Sequence, residues 1–182
     1  MKKTTQVLRT GLILIAIFCA SFYFFYKRAQ SKLPKEPQQP LFLTSAVINR
    51  PLPKSNLVSY SGNPLDDEKI RHGKFVLVFM MPDCKPCDEE NDFLRTVAGS
   101  RKNISFVYVI PFGRKEEVLK LAQSKYSLEP FYDEGSTLSK ELQLYQVPVK
   151  VFLEDGVIKK TWAGSEDTDQ KKAEFRDWLG SV

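Results

Sequence analysis

Residues 75–94 read FVLVFMMPDCKPCDEENDFL. An uninterrupted apolar run stops at Pro82, two cysteines follow at Cys-x-x-Cys spacing, and four acids fall within residues 88–92. A continuous apolar run bounded by a turn residue is the pattern of a strand buried on both faces. Pro86 fits the first turn of a helix, and residues 89–96 continue one. Cys84 and Cys87 therefore stand where a central strand hands over to a helix. They are the only cysteines beyond Cys19.

Working outward, residues 57–65 (LVSYSGNPL) predict a short strand, a Ser-Gly-Asn-Pro turn and a continuation. The apolar run itself is taken as a strand over 74–81. Residues 104–112 (ISFVYVIPF) give a second buried strand. Residues 115–126 predict a helix with Val118, Leu119 and Leu121 on its inner face. Residues 129–133 fit a short strand, and 136–144 a helix capped by Ser or Thr. PVKVFL, then Glu154-Asp155-Gly156, then VIKKTW predicts an antiparallel hairpin turning at Asp-Gly. Residues 169–179 close the domain with an amphipathic helix. The element order from residue 74 is β-α-β-α-(β)-α-β-β-α, an α/β domain with a mixed sheet flanked by helices. No internal repeat or low-complexity block interrupts it.

A Cys-x-x-Cys pair is half a zinc site, a redox dithiol or a coincidence. Structural zinc takes about four ligands, and the domain offers this pair and one histidine, His72. His72 precedes Gly73 and reads as a surface residue. Copper-delivery proteins of related fold resemble a C-x-x-x-C pair with a distant C-terminal histidine, so both the spacing and the histidine placement fail here. The redox reading gains from position. A thiol at a helix N-terminus meets unsatisfied N–H groups and the positive end of the helix dipole, which stabilise a thiolate. On that reading Cys84 is the outer, attacking thiol, and Cys87, one turn in, resolves the mixed disulfide.

With LVSYSGNPL, GKFVLVFMMPDCKPC and QVPVKVFLEDGVI in place, residues 57–180 resemble the membrane-anchored thioredoxin-fold oxidoreductases of the TlpA/ResA type. The resemblance implies a thioredoxin-like fold and a Cys84–Cys87 dithiol/disulfide. It also implies a cis-proline at Pro148 that presents Val147 as a short substrate-pairing edge, and Glu90 near the thiols. No cofactor and no metal are implied. The sequence departs from the family in two places. Asp83, after Pro82, stands where the family often has tryptophan, and Val78 stands where thioredoxins bury an acid. That leaves Glu90 as the nearby group for proton handling. The Met-Pro-Asp-Cys approach is also similar to MauD-like accessory proteins.

The charge of +5 is unevenly spread. Residues 1–35 hold seven of the 27 Lys and Arg and no acid, leaving 20 basic against 22 acidic residues in the remainder. No nucleic-acid footprint results. Residues 10–26 (TGLILIAIFCASFYFFY) carry no charge. With Val7 to Arg9, about 20 residues span a bilayer core of ~30 Å, and the Phe-Tyr cluster at 22–26 suits an interfacial belt. The segment runs into aromatics rather than a small-residue cleavage site, so an anchor is favoured over a signal peptide. Phe18 before Cys19 does not resemble a lipoprotein processing site.

The expected organisation is an anchor over 1–28, a Pro-rich extended tether over 29–56 and a thioredoxin-like domain over 57–182. Flanking charges do not select an orientation. The resemblance implies a single-pass inner-membrane protein with a cytoplasmic N-terminus and an extracytoplasmic domain. Its partners would be protein dithiol or disulfide clients and a membrane electron donor.

Reduction of exported clients is the leading reading. An oxidase or isomerase, or a tethered assembly factor in which the cysteines only staple a turn, remain alternatives. A peroxiredoxin would resemble a P-x-x-x-T-x-x-C loop, and none is present. Asp83, Asp88, Glu89 and Glu90 oppose a Cys84 thiolate and Lys85 favours it. That balance predicts a reducing rather than an oxidising couple.

Overall fold

The computed structural model describes Tyr23 and residues 47–99 and 103–182. The chain divides into two units, Met1–Leu41 and Phe42–Val182, and the account below concerns the second. The expected anchor and the tether up to residue 46 lie outside the described residues. Among the described residues no helix is long and apolar enough to cross a membrane.

The domain has a thioredoxin-like α/β architecture. In chain order it runs β1 (Leu57–Ser59), α1 (Asp67–Ile70), β2 (Lys74–Phe79), α2 (Lys85–Ala98), β3 (Ile104–Ile110), α3 (Lys115–Lys125), β4 (Pro130–Asp133), a 3-10 turn (Glu134–Ser136), α4 (Thr137–Glu141), β5 (Val149–Glu154), β6 (Val157–Ala163) and α5 (Asp169–Ser181). The sheet order is β1-β4-β3-β2-β5-β6. β2, β3 and β4 run parallel, while β1, β5 and β6 pair antiparallel. β2 is thus interior, as its apolar run requires.

Strand alternation divides the core. Val76, Val78 and Met80 pack with α2, α3 and α5, whereas Phe75, Leu77 and Phe79 pack on the opposite face with Ile70 of α1 and Leu138 of α4. All six are buried, and each fully buried side chain of this size contributes about 1.5–3 kcal/mol. Phe175 of α5 closes the first face, with ring centroids 5.8 Å from Phe93 and 5.1 Å from Trp162. The β5–β6 hairpin turns at Asp155-Gly156, both at positive φ (50° and 74°), the geometry of a tight primed turn. The Asp155 carboxylate also accepts the Gly73 N–H at 2.8 Å, so the hairpin tip holds the entry to β2.

Three sequence expectations are corrected. The tether does not run free to residue 56. Asn49 donates to the Ile158 carbonyl at 2.7 Å, Leu52 donates to Gly156, and Pro51 bridges Val157. This segment covers the start of β6 at the edge of the sheet, where unpaired backbone groups would otherwise lie open, and half-buries Val47, Ile48 and Leu52.

On α3 the inner face is Val118, Leu119 and Ala122, while Leu121 is half exposed. The i, i+4 neighbour of Val118 is Ala122, so the inward stripe passes Leu121 by. The helix expected over 136–144 is only α4. Ser136 stands at its N-cap as expected but makes no side-chain cap bond; the buried Asp133 carboxylate takes that part, accepting Leu138 N–H at 3.1 Å and Ser139 N–H at 2.7 Å. Helix α1 was not anticipated, since four residues are too few to show a period. Its signal is the Asp66 cap followed by Asp67 and Glu68.

Candidate active site

β2 delivers the dithiol. Met80 N–H still donates to Val109 on β3 at 3.0 Å, and Cys84 N–H donates to Met81 as the chain turns. Cys84 is the N-cap of α2, with extended backbone angles, and its Sγ accepts the Cys87 N–H at 3.2 Å. Pro86, one residue into the helix, lacks the N–H that the first turn leaves unpartnered in any case. The two cysteines form a disulfide with their Cα atoms 5.2 Å apart. Cys84 is half-buried and Cys87 fully buried. That asymmetry is the one an attacking and a resolving thiol require.

The register places the second wall of the site. Phe79, the last residue of β2, pairs with Val149, and Val149 pairs with Ala163. The cis Val147–Pro148 bond therefore lies at the cysteine end of the sheet, and Gly164 N–H donates to the Pro148 carbonyl at 2.9 Å. Val147 is half-buried and packs against the same core cluster as Cys84 and Met81. Cys84, Cys87, Val147 and Pro148 thus lie at the same end of the sheet.

Glu90 lies one helical turn beyond Cys87, on the same inward face of α2. It is buried, and it does not stand free beside the thiols. Its Oε1 accepts from Lys150 Nζ at 2.8 Å and its Oε2 accepts the Glu166 N–H at 2.7 Å. Lys150 also lies 3.0 Å from Glu166 Oε1, and its side chain is wholly buried. Lys150 sits on β5 directly opposite Val78 of β2.

Sequence reasoning missed both Lys150 and Glu166. The signal for Lys150 was a lysine inside the apolar run VKVFL of a strand buried on both faces, which obliges a buried counter-ion. Glu166, in the connection from β6 to α5, carried no such signal. Nearby, Tyr108 of β3 is pushed up to about 12, chiefly by burial, with Glu90 adding in the same direction.

The charge balance around the dithiol also needs correcting. Of the four acids expected to oppose a thiolate, Glu90 has Lys150, and Asp88 has Lys125, which reaches across from α3 at 2.6 Å and also donates to the Pro82 carbonyl. Asp83 and Glu89 remain exposed, as does Lys85. His72 is exposed and 3.8 Å from Glu68. Among the described residues no group of three or more His, Cys, Asp or Glu side chains could hold a metal ion.

No protein-family model and no curated protein matches the chain. Solved structures do. A Mycobacterium tuberculosis DsbF, in mixed oxidised and reduced forms, is 18% identical with a TM-score of 0.60, over 71% of this chain and 95% of its own. A secreted disulfide oxidoreductase of the same organism, described as homologous to Escherichia coli DsbE, is 16% identical with a TM-score of 0.57, over 69% and 94%. The thioredoxin domain of a Bacteroides vulgatus thiol-disulfide oxidoreductase is 13% identical with a TM-score of 0.59, over 74% and 99%. At these identities the shared property is the fold. The chain has the thioredoxin-like fold.

Proposed function

We propose that the chain is a membrane-tethered thiol–disulfide oxidoreductase of the TlpA/ResA-like kind, which reduces disulfides in exported client proteins. One observation carries the reading: a half-buried cysteine caps the helix that follows the central strand and is disulfide-bonded to a wholly buried partner one turn in. The fold shared with proteins described as disulfide oxidoreductases supports it.

In the reduced domain the Cys84 thiolate attacks one sulfur of a client disulfide and expels the other as a thiolate, leaving a mixed disulfide. Cys87 loses its proton, with Glu90, one helical turn away, as the acceptor, and attacks the Cys84 sulfur. The second client thiol is released and the Cys84–Cys87 disulfide forms. Two electrons have passed to the client, and a membrane-borne donor dithiol restores them. Val147, beside Pro148, offers the backbone edge along which an extended client pairs.

The full chain in detergent, carrying Cys19→Ser, should accelerate reduction of insulin by dithiothreitol. A rate equal to that of dithiothreitol alone would end the reading.

The tether rests on the charge-free segment 10–26, and the extracytoplasmic placement on the family resemblance. In intact spheroplasts a membrane-impermeant maleimide should label Cys84 of the same Cys19→Ser chain after mild reduction. Labelling confined to lysed cells would put the domain in the cytoplasm.

A further inference from the structure

A wholly buried ammonium that lost its counter-ion would be strongly destabilising. Lys150 avoids this by having two counter-ions, Glu90 Oε1 at 2.8 Å and Glu166 Oε1 at 3.0 Å. The Phe175 ring lies 5.3 Å from the ammonium and excludes solvent. Two carboxylates and one ammonium leave one uncompensated negative charge in the core, which a single proton would neutralise. Had Glu90 been the only partner, protonating it would strand Lys150. With Glu166 in place, Lys150 stays paired whichever state Glu90 is in.

We infer that Lys150 and Glu166 are positioning residues for Glu90, forming a buried triad that lets Glu90 accept the Cys87 proton without leaving an unpaired charge. The inference deepens the proposed exchange reaction and rests on it. The groups facing Glu90 are Lys150 from β5, Glu166 from the β6–α5 connection, Tyr108 from β3 and Cys87 on its own helix. Arg95 acts on Tyr108, and exposed Lys171 of α5 acts on Glu166 while paired with Asp167 at 2.7 Å. Tyr108, held near 12 chiefly by burial, does not titrate with the carboxylates.

Dithiobis(nitrobenzoate) separates the two steps. The Cys84 thiolate attacks it, releasing one thionitrobenzoate and forming a mixed disulfide. Cys87 then gives its proton to Glu90 and attacks Cys84, expelling the second thionitrobenzoate. Two electrons leave the dithiol, and both thiol protons pass to solvent, that of Cys87 by way of Glu90. The second, unimolecular phase reports the step in question, and its rate should rise with pH as the Cys87 proton is more readily given up.

The test uses the reduced full chain with Cys19→Ser. Glu166→Gln leaves Lys150 to Glu90 alone, so the rise should move to lower pH by about one unit or more, with a second phase about tenfold slower on its plateau. Glu166→Asp should restore the parent profile. Lys150→Met, of similar volume, leaves two adjoining carboxylates, so the rise should move by a similar amount to higher pH. A purely structural cluster would lower thermal stability and leave the profile in place.

Profiles that coincide with the parent, or that shift in the same direction in both variants, would overturn the inference. If Lys150→Met does not fold, the Glu166→Gln shift and its rescue decide alone. A parent chain without any second phase would instead overturn the exchange reaction itself.

Discussion

Replacing Cys84 with serine should reduce disulfide exchange to the uncatalysed rate, and replacing Cys87 should leave the chain covalently joined to its clients. Exchange proceeds only through a thiolate attacking sulfur, and a serine hydroxyl supplies neither the nucleophile nor the leaving group. Cys84 is the one of the two with solvent access, and it caps α2, where the helix dipole of about half a positive charge stabilises a thiolate. Cys87 is wholly buried, so a client sulfur cannot reach it until Cys84 has engaged the client. In Cys87→Ser the mixed disulfide on Cys84 forms and has no internal route to break. Adducts should therefore accumulate on non-reducing gels and vanish with dithiothreitol. Adducts from Cys84→Ser and none from Cys87→Ser would reverse the assignment. Neither variant giving adducts would favour a tethered assembly factor in which the cysteines staple a turn.

The fold was legible where the pattern is dense. The apolar run ending at Pro82 marked β2 as interior, and Asp155-Gly156 between two apolar runs marked the β5–β6 hairpin, because each signal has a single structural solution. Legibility failed where tertiary contacts decide. Nothing local separates the docked strap at residues 47–53 from a free Pro-rich tether, since its role comes from the β6 edge that it covers. α4 is capped from Asp133, three residues before the position a local rule would search.

Of the candidate site, Cys84 and Cys87 were expected from spacing, and Glu90, Val147 and Pro148 from resemblance. The counter-ions were not. Lys125 reaches Asp88 from 37 residues away in the chain, and Lys150 reaches Glu90 from 60. Adjacency in sequence counted four acids around the dithiol, whereas the fold gives two of them a cation. The negative balance survives in reduced form, through exposed Asp83 and Glu89 against Lys85.

On the proposed reading, that residual balance favours a reducing couple. A strong disulfide oxidant owes its potential, near about −120 mV, to a very stable thiolate with a cysteine pKa near ~3.5. Here the helix N-terminus and Lys85 favour the Cys84 thiolate, while Asp83 beside it and Glu89 beyond it oppose. Screening at the surface weakens both sides without changing the sign. Pro86 in second place between the cysteines also resembles the Cys-Gly-Pro-Cys of reducing thioredoxins. A thiolate no better stabilised than thioredoxin's corresponds to a potential near about −270 mV, about five decades in equilibrium constant from the oxidant.

Equilibrating the full chain carrying Cys19→Ser with graded ratios of reduced to oxidised dithiothreitol or glutathione, and counting free thiols by mass after alkylation, measures this couple directly. The expected result is one two-electron transition involving Cys84 and Cys87, with a midpoint near about −270 mV. A midpoint above about −180 mV would contradict the reductase in favour of an oxidase or isomerase, and no transition at all would contradict a working dithiol.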